Sequence, residues 1–161
     1  MNMDLVLWRH AQAQDWTTGC DDMARRLTPR GEKQAAHMAS WLERQLPEGS
    51  QIFVSPAVRT EQTAVALRRK RKLCPELTLN ASVPELLKLV GWPTAKGTVL
   101  LVGHQPQLGQ LVSELMGWPA TDCAIKNGGI CWLRKHERGG AIKTVVVTVQ
   151  SPLMFSSGRR L

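Results

Sequence analysis

Three apolar runs in this chain end on residues that can do chemistry. "LVLW" (Leu5–Trp8) ends on Arg9-His10. "QIFV" (Gln51–Val54) ends on Ser55-Pro56, with Arg59 one helical turn further on. "TVLLVG" ends on His104. Ligands of open α/β sheets bind at the carboxyl ends of the strands. If these runs are parallel strands, two arginines and two histidines converge there. Two guanidinium forks match the oxygens of a phosphate. A histidine beside them can attack phosphorus and carry the phosphoryl group covalently. Each residue alone also reads as a polar group where a strand meets solvent. Arg59 argues for more than that. It falls in the first turn of a helix, where the dipole disfavours a cation by up to ~1 kcal/mol, unless an anion bridges the two. The chain has no Gly-rich P-loop and no acidic cluster suited to magnesium. Charge stabilisation would therefore come from side chains, and neither a metal nor another cofactor is expected.

The elements that must position these groups are legible. Met3–Trp8 and Gly97–His104 read as buried strands and Gln51–Val54 as a short one. Thr28-Pro29 opens a helix with Ala35, Met38, Leu42 and Leu46 on one face, stopped by Pro47–Gly49. Ser55 as cap and Pro56 at the first position start a helix predicted to reach about Lys72. Leu77–Ala81 is a weaker strand, and a short helix follows from Pro84. Pro106 opens a helix with Leu108, Leu111, Val112 and Leu115 on one stripe. Ile130–Arg134 and Ile142–Val149 form a β-hairpin across "ERGG". Apolar strands alternating with amphipathic helices predict a three-layer α/β/α sandwich around a mostly parallel sheet.

The 161 residues suit one domain, 1–161, with about 153–161 a frayed tail. Composition is globular: 43% hydrophobic and 21% charged. Cys20, Cys74, Cys123 and Cys131 form no C-x-x-C pair and lie at no zinc spacing to a histidine, so free thiols in a reducing compartment are expected. Asp4 and Arg9 interrupt any signal-length apolar core, and no run approaches the ~20 residues of a membrane span. A cytoplasmic protein is expected. His37 and His136 read as surface residues, and the scattered tryptophans as packing.

"WRHA", "SPAVRTEQT" and "VGH" resemble the signature motifs of the histidine phosphatase superfamily, with its phosphoglycerate mutase-like fold. The resemblance implies that His10 is the phosphorylated nucleophile. It makes Arg9 and Arg59 phosphate-binding, and His104 the second histidine, donating to the phosphoryl oxygens. Ser55 would act structurally, as the helix cap. Ala11 departs from the glycine usual after Arg-His. Only residues 64–101 separate the second motif from the third, too few for the large helical lid of mutases and acid phosphatases. This build, with "RHA-x-A" and "RLTPRG", resembles the small bacterial phosphohistidine phosphatases. It implies as partner a phosphohistidine-containing phosphotransfer domain or phosphocarrier protein.

A departing alkoxide strongly benefits from a general acid, whereas imidazole, with an unperturbed pKa of ~6.5, needs less help. Glu85 is the possible acid, although its place in a first helical turn is explained by the dipole alone. Asp21 and Asp22 lie in a polar loop that could rim the site. The alternatives are a small-molecule phosphomonoesterase for sugar or nucleotide phosphates and an inactive module binding phosphorylated partners. Net charge is +8, yet no nucleic-acid motif accompanies it, so nucleic acid is an unlikely partner. The block Arg68–Lys72, "RRKRK", is read either as a solvated helix C-terminus or as a dock for an acidic phosphoprotein, about 20 Å from Arg59 along the helix.

Overall fold

The computed structural model describes residues 2–119 and 123–155. Six strands, β1 (Met3–Arg9), β2 (Gln51–Val54), β3 (Lys72–Leu73), β4 (Gly97–Gly103), β5 (Ile130–Arg138) and β6 (Ala141–Gln150), form one sheet in the order β3-β2-β4-β1-β5-β6. The pairs β1·β4, β2·β4 and β2·β3 are parallel, and β5 and β6 extend the sheet antiparallel beyond β1. Four helices cover it: α1 (Pro29–Gln45), α2 (Val58–Val65), α3 (Val83–Val90) and α4 (Gln107–Met116). This is the expected α/β/α arrangement.

Alternation along the strands feeds two cores. Leu5, Leu7, Val99 and Leu101 pack with Leu86, Leu108 and Leu111 of α3 and α4. Val6, Trp8, Leu100 and Val102 pack with Met38, Leu42 and Ala64 of α1 and α2. The central strands are therefore apolar on both faces, as a covered parallel sheet requires. Register brings their carboxyl ends level, with Arg9 beside Gly103 and Val54 beside Val102.

The start of α1 is set by Thr28, whose hydroxyl accepts from Gly31 N–H at 2.9 Å. Gly31 has a second reason to be there: a Cβ would lie 2.0 Å from the carbonyl oxygen of Gln12. α3 is fixed by a capping box between Ser82 and Glu85 and closed by Gly91 in the left-handed region.

The structure corrects three boundaries. α2 stops at Val65, not near Lys72, because Arg68 takes a left-handed φ of 58° and the chain re-enters the sheet as β3. "RRKRK" is therefore not a helix C-terminus. Arg69 is tied to Glu43 and to the carbonyls of Leu46 and Pro47. Arg69–Lys72 line a groove of about 950 Å³ with Gln51–Phe53, on the amino-terminal side of β2 and β3. Leu77–Ala81 is no strand. It turns back through Leu77 N–H to Cys74 O and Ala81 N–H to Thr78 O, and its buried leucine and alanine serve the core. The hairpin is longer than expected, because Gly139 and Gly140 both adopt positive φ and make a tight turn. Pro152–Phe155 forms a 3-10 turn, and the rest of the expected tail lies outside the described residues. Among the described residues, no helix is long and apolar enough to cross a membrane.

Candidate active site

Backbone hydrogen bonds set the level of each strand end. Arg9 N–H donates to Gly129 O (3.0 Å), His10 N–H to Gly103 O (3.1 Å) and Ser55 N–H to Val102 O (3.1 Å). Above them opens a cleft of about 380 Å³ lined by Arg9, His10, Arg59 and His104. All four residues expected from the motifs meet there. The histidine rings lie 5.5 Å apart, centroid to centroid.

His10 is held at both ends. Its Nδ1–H donates to the carbonyl of Ala11 at 2.7 Å, since a carbonyl only accepts. The ring's lone pair is thereby placed on Nε2. Ala11 N–H donates to Thr63 Oγ1 (3.0 Å), and that hydroxyl donates to Arg59 O (2.7 Å), so α2 clamps the turn that carries the nucleophile candidate. Burial, with the positive charge of Arg59, Arg9 and Arg25, lowers His10 to about 4, against the opposing pull of the Ala11 carbonyl. Burial and then Arg59 lower His104 to about 3. Both values lie well below pH 7, where the neutral rings dominate.

Ser55 is not the α2 cap. The helix starts at Val58, and Ser55 Oγ lies 2.8 Å from His104 Nε2. Ala57 N–H also donates to that oxygen (3.4 Å). The fully buried hydroxyl has no acceptor for its own proton other than Nε2 among the described residues, so it donates to Nε2. This assigns the ring proton of His104 to Nδ1.

Arg9 Nη1 donates to Ile125 O (2.8 Å), and Arg59 Nη1 and Nη2 donate to Asp22. Three buried nitrogens of the cleft residues have no partner: Arg9 Nε, Arg59 Nε and His104 Nδ1. Buried donors without partners are costly, and a tetrahedral oxyanion supplies the acceptors they lack.

Other residues of the cleft were not singled out by their sequence. Asp15 and Arg25 come from the polar stretch after β1, and Gln105 and Asn127 from loops before α4 and β5. Such segments have no periodicity, so only the closed fold shows which of their side chains face the site. Asp22 does rim it, while Asp21 caps the 3-10 turn Asp22–Ala24 through Met23 N–H (3.0 Å). Burial alone would raise the Asp22 carboxyl, but the charge and hydrogen bonds of Arg59 and Arg25 outweigh it and hold it below its ordinary range. Glu85 is not brought to the cleft. Its exposed carboxylate accepts from Ser82 N–H (3.0 Å) and Ser82 Oγ (2.8 Å) in the capping box. Among the described residues, no three His, Cys, Asp or Glu side chains gather as a metal site. His37 and His136 are exposed.

The fold and cleft define a phosphoglycerate mutase-like α/β protein with a histidine between two arginines. The family model of the histidine phosphatase superfamily (branch 1) matches residues 5–86, and the chain belongs to that superfamily. It is 32% identical to the phosphohistidine phosphatase SixA of Escherichia coli K12, over 70% of this chain and 74% of that one. The solved protein histidine phosphatase SixA complexed with tungstate is similar at 26% identity and a TM-score of 0.74, covering 95% of this chain and 99% of that one. A mycobacterial glucosyl-3-phosphoglycerate phosphatase shares the fold at 19% identity and a TM-score of 0.70, over 92% and 98% of the two chains. The matched family segment includes Arg9, His10 and Arg59. His104 lies beyond it and joins the site through β4.

Proposed function

We propose that this chain is a metal-independent phosphohistidine phosphatase acting on a phosphohistidine-bearing protein. One observation carries the reading: His10, its Nδ1 engaged by Ala11 O and its Nε2 free, stands in an open cleft with unpartnered nitrogens of Arg9, Arg59 and His104. In the first step Nε2 attacks phosphorus, the new P–N bond forms, and the P–N bond to the substrate imidazole breaks. That imidazole leaves as the neutral or protonated ring, taking its proton from solvent. Arg9, Arg59 and the Nδ1–H of His104 hold the phosphoryl oxygens, where charge is greatest in the transition state. Water then attacks phospho-His10 and releases inorganic phosphate and the free enzyme.

The leaving group favours phosphohistidine over an alkyl ester. The one carboxylate gripping the phosphate-binding arginine, Asp22, is held ionised and is no proton donor. Among the described residues the cleft also has no lid. Residues 66–96 hold only β3 and α3, and of them only Leu79 lines the cleft. An open cleft admits a side chain protruding from a protein, where a small substrate gains from enclosure. The name of the E. coli relative and the tungstate bound by the solved one, itself a tetrahedral oxyanion, support the same reading. The partner is then a phosphotransfer domain or phosphocarrier protein. Four free cysteines fit a reducing cytoplasm as the place of action.

The deciding assay compares hydrolysis of a phosphohistidine phosphoprotein with a panel of sugar, nucleotide and aryl phosphates at equal concentration, with His10→Ala as control. Preference for the phosphoprotein is expected. Preference for a sugar or nucleotide phosphate would make the chain a small-molecule phosphomonoesterase. Binding without turnover of any of them would make it a recognition module.

A further inference from the structure

Arg59 is the most deeply buried cation of the cleft, 2% exposed, and both its terminal nitrogens are engaged by one residue. Nη1 donates to the backbone carbonyl of Asp22 at 2.7 Å and Nη2 to its carboxylate Oδ2 at 3.0 Å. A guanidinium offers five donors in one plane, grouped as an end-on fork of Nη1 and Nη2 and a side-on fork of Nε with a neighbouring Nη. Asp22 takes the end-on fork. The Nε hydrogen is buried and has no partner. The side-on fork is what remains for an anion.

Asp22 is itself held. Its Oδ1 accepts from Arg25 Nε at 2.9 Å, and Arg25 Nη1 donates to Gln14 O at 2.8 Å. Gln14 N–H in turn donates to Arg26 O at 2.8 Å, closing the loop on itself. The loop thus presents both a carbonyl and a carboxylate to Arg59 in a fixed geometry.

We propose that Asp22 is a positioning residue for phosphate recognition. It grips Arg59 from behind and turns the side-on fork toward the phosphoryl group at His10. The proposal rests on the function proposed above and deepens it. The opposite arrangement is a latch, in which Asp22 occupies the phosphoryl position and must leave. The two differ in sign: removing a positioning residue weakens phosphate binding, and removing a latch strengthens it.

The test measures the affinity for inorganic phosphate by calorimetry and the hydrolysis of p-nitrophenyl phosphate. Asp22→Ala is expected to weaken phosphate about tenfold and to lower kcat/KM about 10²-fold, mostly in kcat, as for loss of a transition-state donor. Asp22→Asn keeps an oxygen acceptor and should fall between; it carries the test if the alanine variant does not fold. In an Arg59→Ala background, Asp22→Ala should have no further effect on phosphate affinity, because the group it positions is gone. Tighter phosphate binding, unchanged affinity and rate, or additive losses in the double variant would each overturn the proposal. A wild-type chain that neither binds phosphate nor hydrolyses the aryl ester removes the proposed function and this inference together. A wild type that does both, beside indifferent Asp22 variants, removes the inference alone.

Discussion

Ser55 and His104, 49 residues apart in the chain, meet at 2.8 Å, hydroxyl to Nε2. The contact exists because β2 and β4 are parallel neighbours that end level. It fixes which nitrogen of His104 carries the proton. Ser55→Ala should therefore lower kcat on an aryl phosphate by roughly 10-fold or more, with a smaller change in KM, because the donor to the transition state is mis-set. Ser55→Thr, which keeps the hydroxyl, should recover part of the rate. Steady-state kinetics on the two variants decide the point.

His10→Ala should lose nearly all turnover while keeping its circular dichroism spectrum. Quenching the wild type with labelled substrate should trap an acid-labile, base-stable adduct, and peptide mapping should place it on His10. An adduct on His104 would exchange the two roles.

The acid limb of the rate profile should lie well below the ordinary histidine range. With His10 lowered to about 4, its lone pair is available across the whole neutral and mildly acidic range. After correction for substrate ionisation, kcat/KM should hold down to about pH 5 and fall below it. An acid limb near pH 6.5 would contradict the burial of the free ring.

The same depression bears on stability, with a definite sign. Unfolded, both rings take up protons near pH 6.5; folded, they resist until about 4 for His10 and about 3 for His104. Between these limits the unfolded chain binds more protons. Stability is thus full above pH 6.5 and declines as pH falls through that window, by an amount on the order of a few kcal/mol. Thermal unfolding across pH 7 to 4 should show the decline, and replacing both histidines by asparagine should flatten it.

Arg59→Ala should cost roughly 10²-fold or more in kcat/KM, by comparison with losing one oxyanion donor. Turnover should survive exhaustive chelation without restoration by magnesium or zinc, because arginines supply the charge. Loss of activity in chelator, recovered with metal, would remove the mechanism.

Two glycines should be intolerant for a reason unrelated to chemistry. A Cβ at Gly31 would lie 2.0 Å from Gln12 O, and one at Gly109 would lie 2.1 Å from Cys123 O. Either alanine variant must shift a helix from a loop of the site, at roughly 1–3 kcal/mol or more as for overpacking. A lowered Tm together with reduced activity is expected, and an unchanged Tm would show that the backbone gives way freely.

The sequence by itself determined strands β1, β2, β4, β5 and β6, the four helices that cover them and the four groups at the strand ends. Arg9, His10, Arg59 and His104 were readable because each directly follows or closely trails an apolar run, and a covered parallel sheet must end such runs on one edge. Tertiary structure decided what the loops do. Asp22, Arg25 and Asn127 lie in stretches without periodicity, so nothing local says which way they face; the loops' closure against α2 and β5 does. Glu85 shows the converse. Its place in the sequence fits both a cap and an acid, and only the packing of α3 away from the cleft separates the two. The helix read through "RRKRK" failed likewise, because helix-forming residues carry on past Val65 while the edge of β2 offers Lys72 and Leu73 a ladder. A local preference worth tenths of a kcal/mol per residue gives way to sheet pairing and burial that no short window can contain.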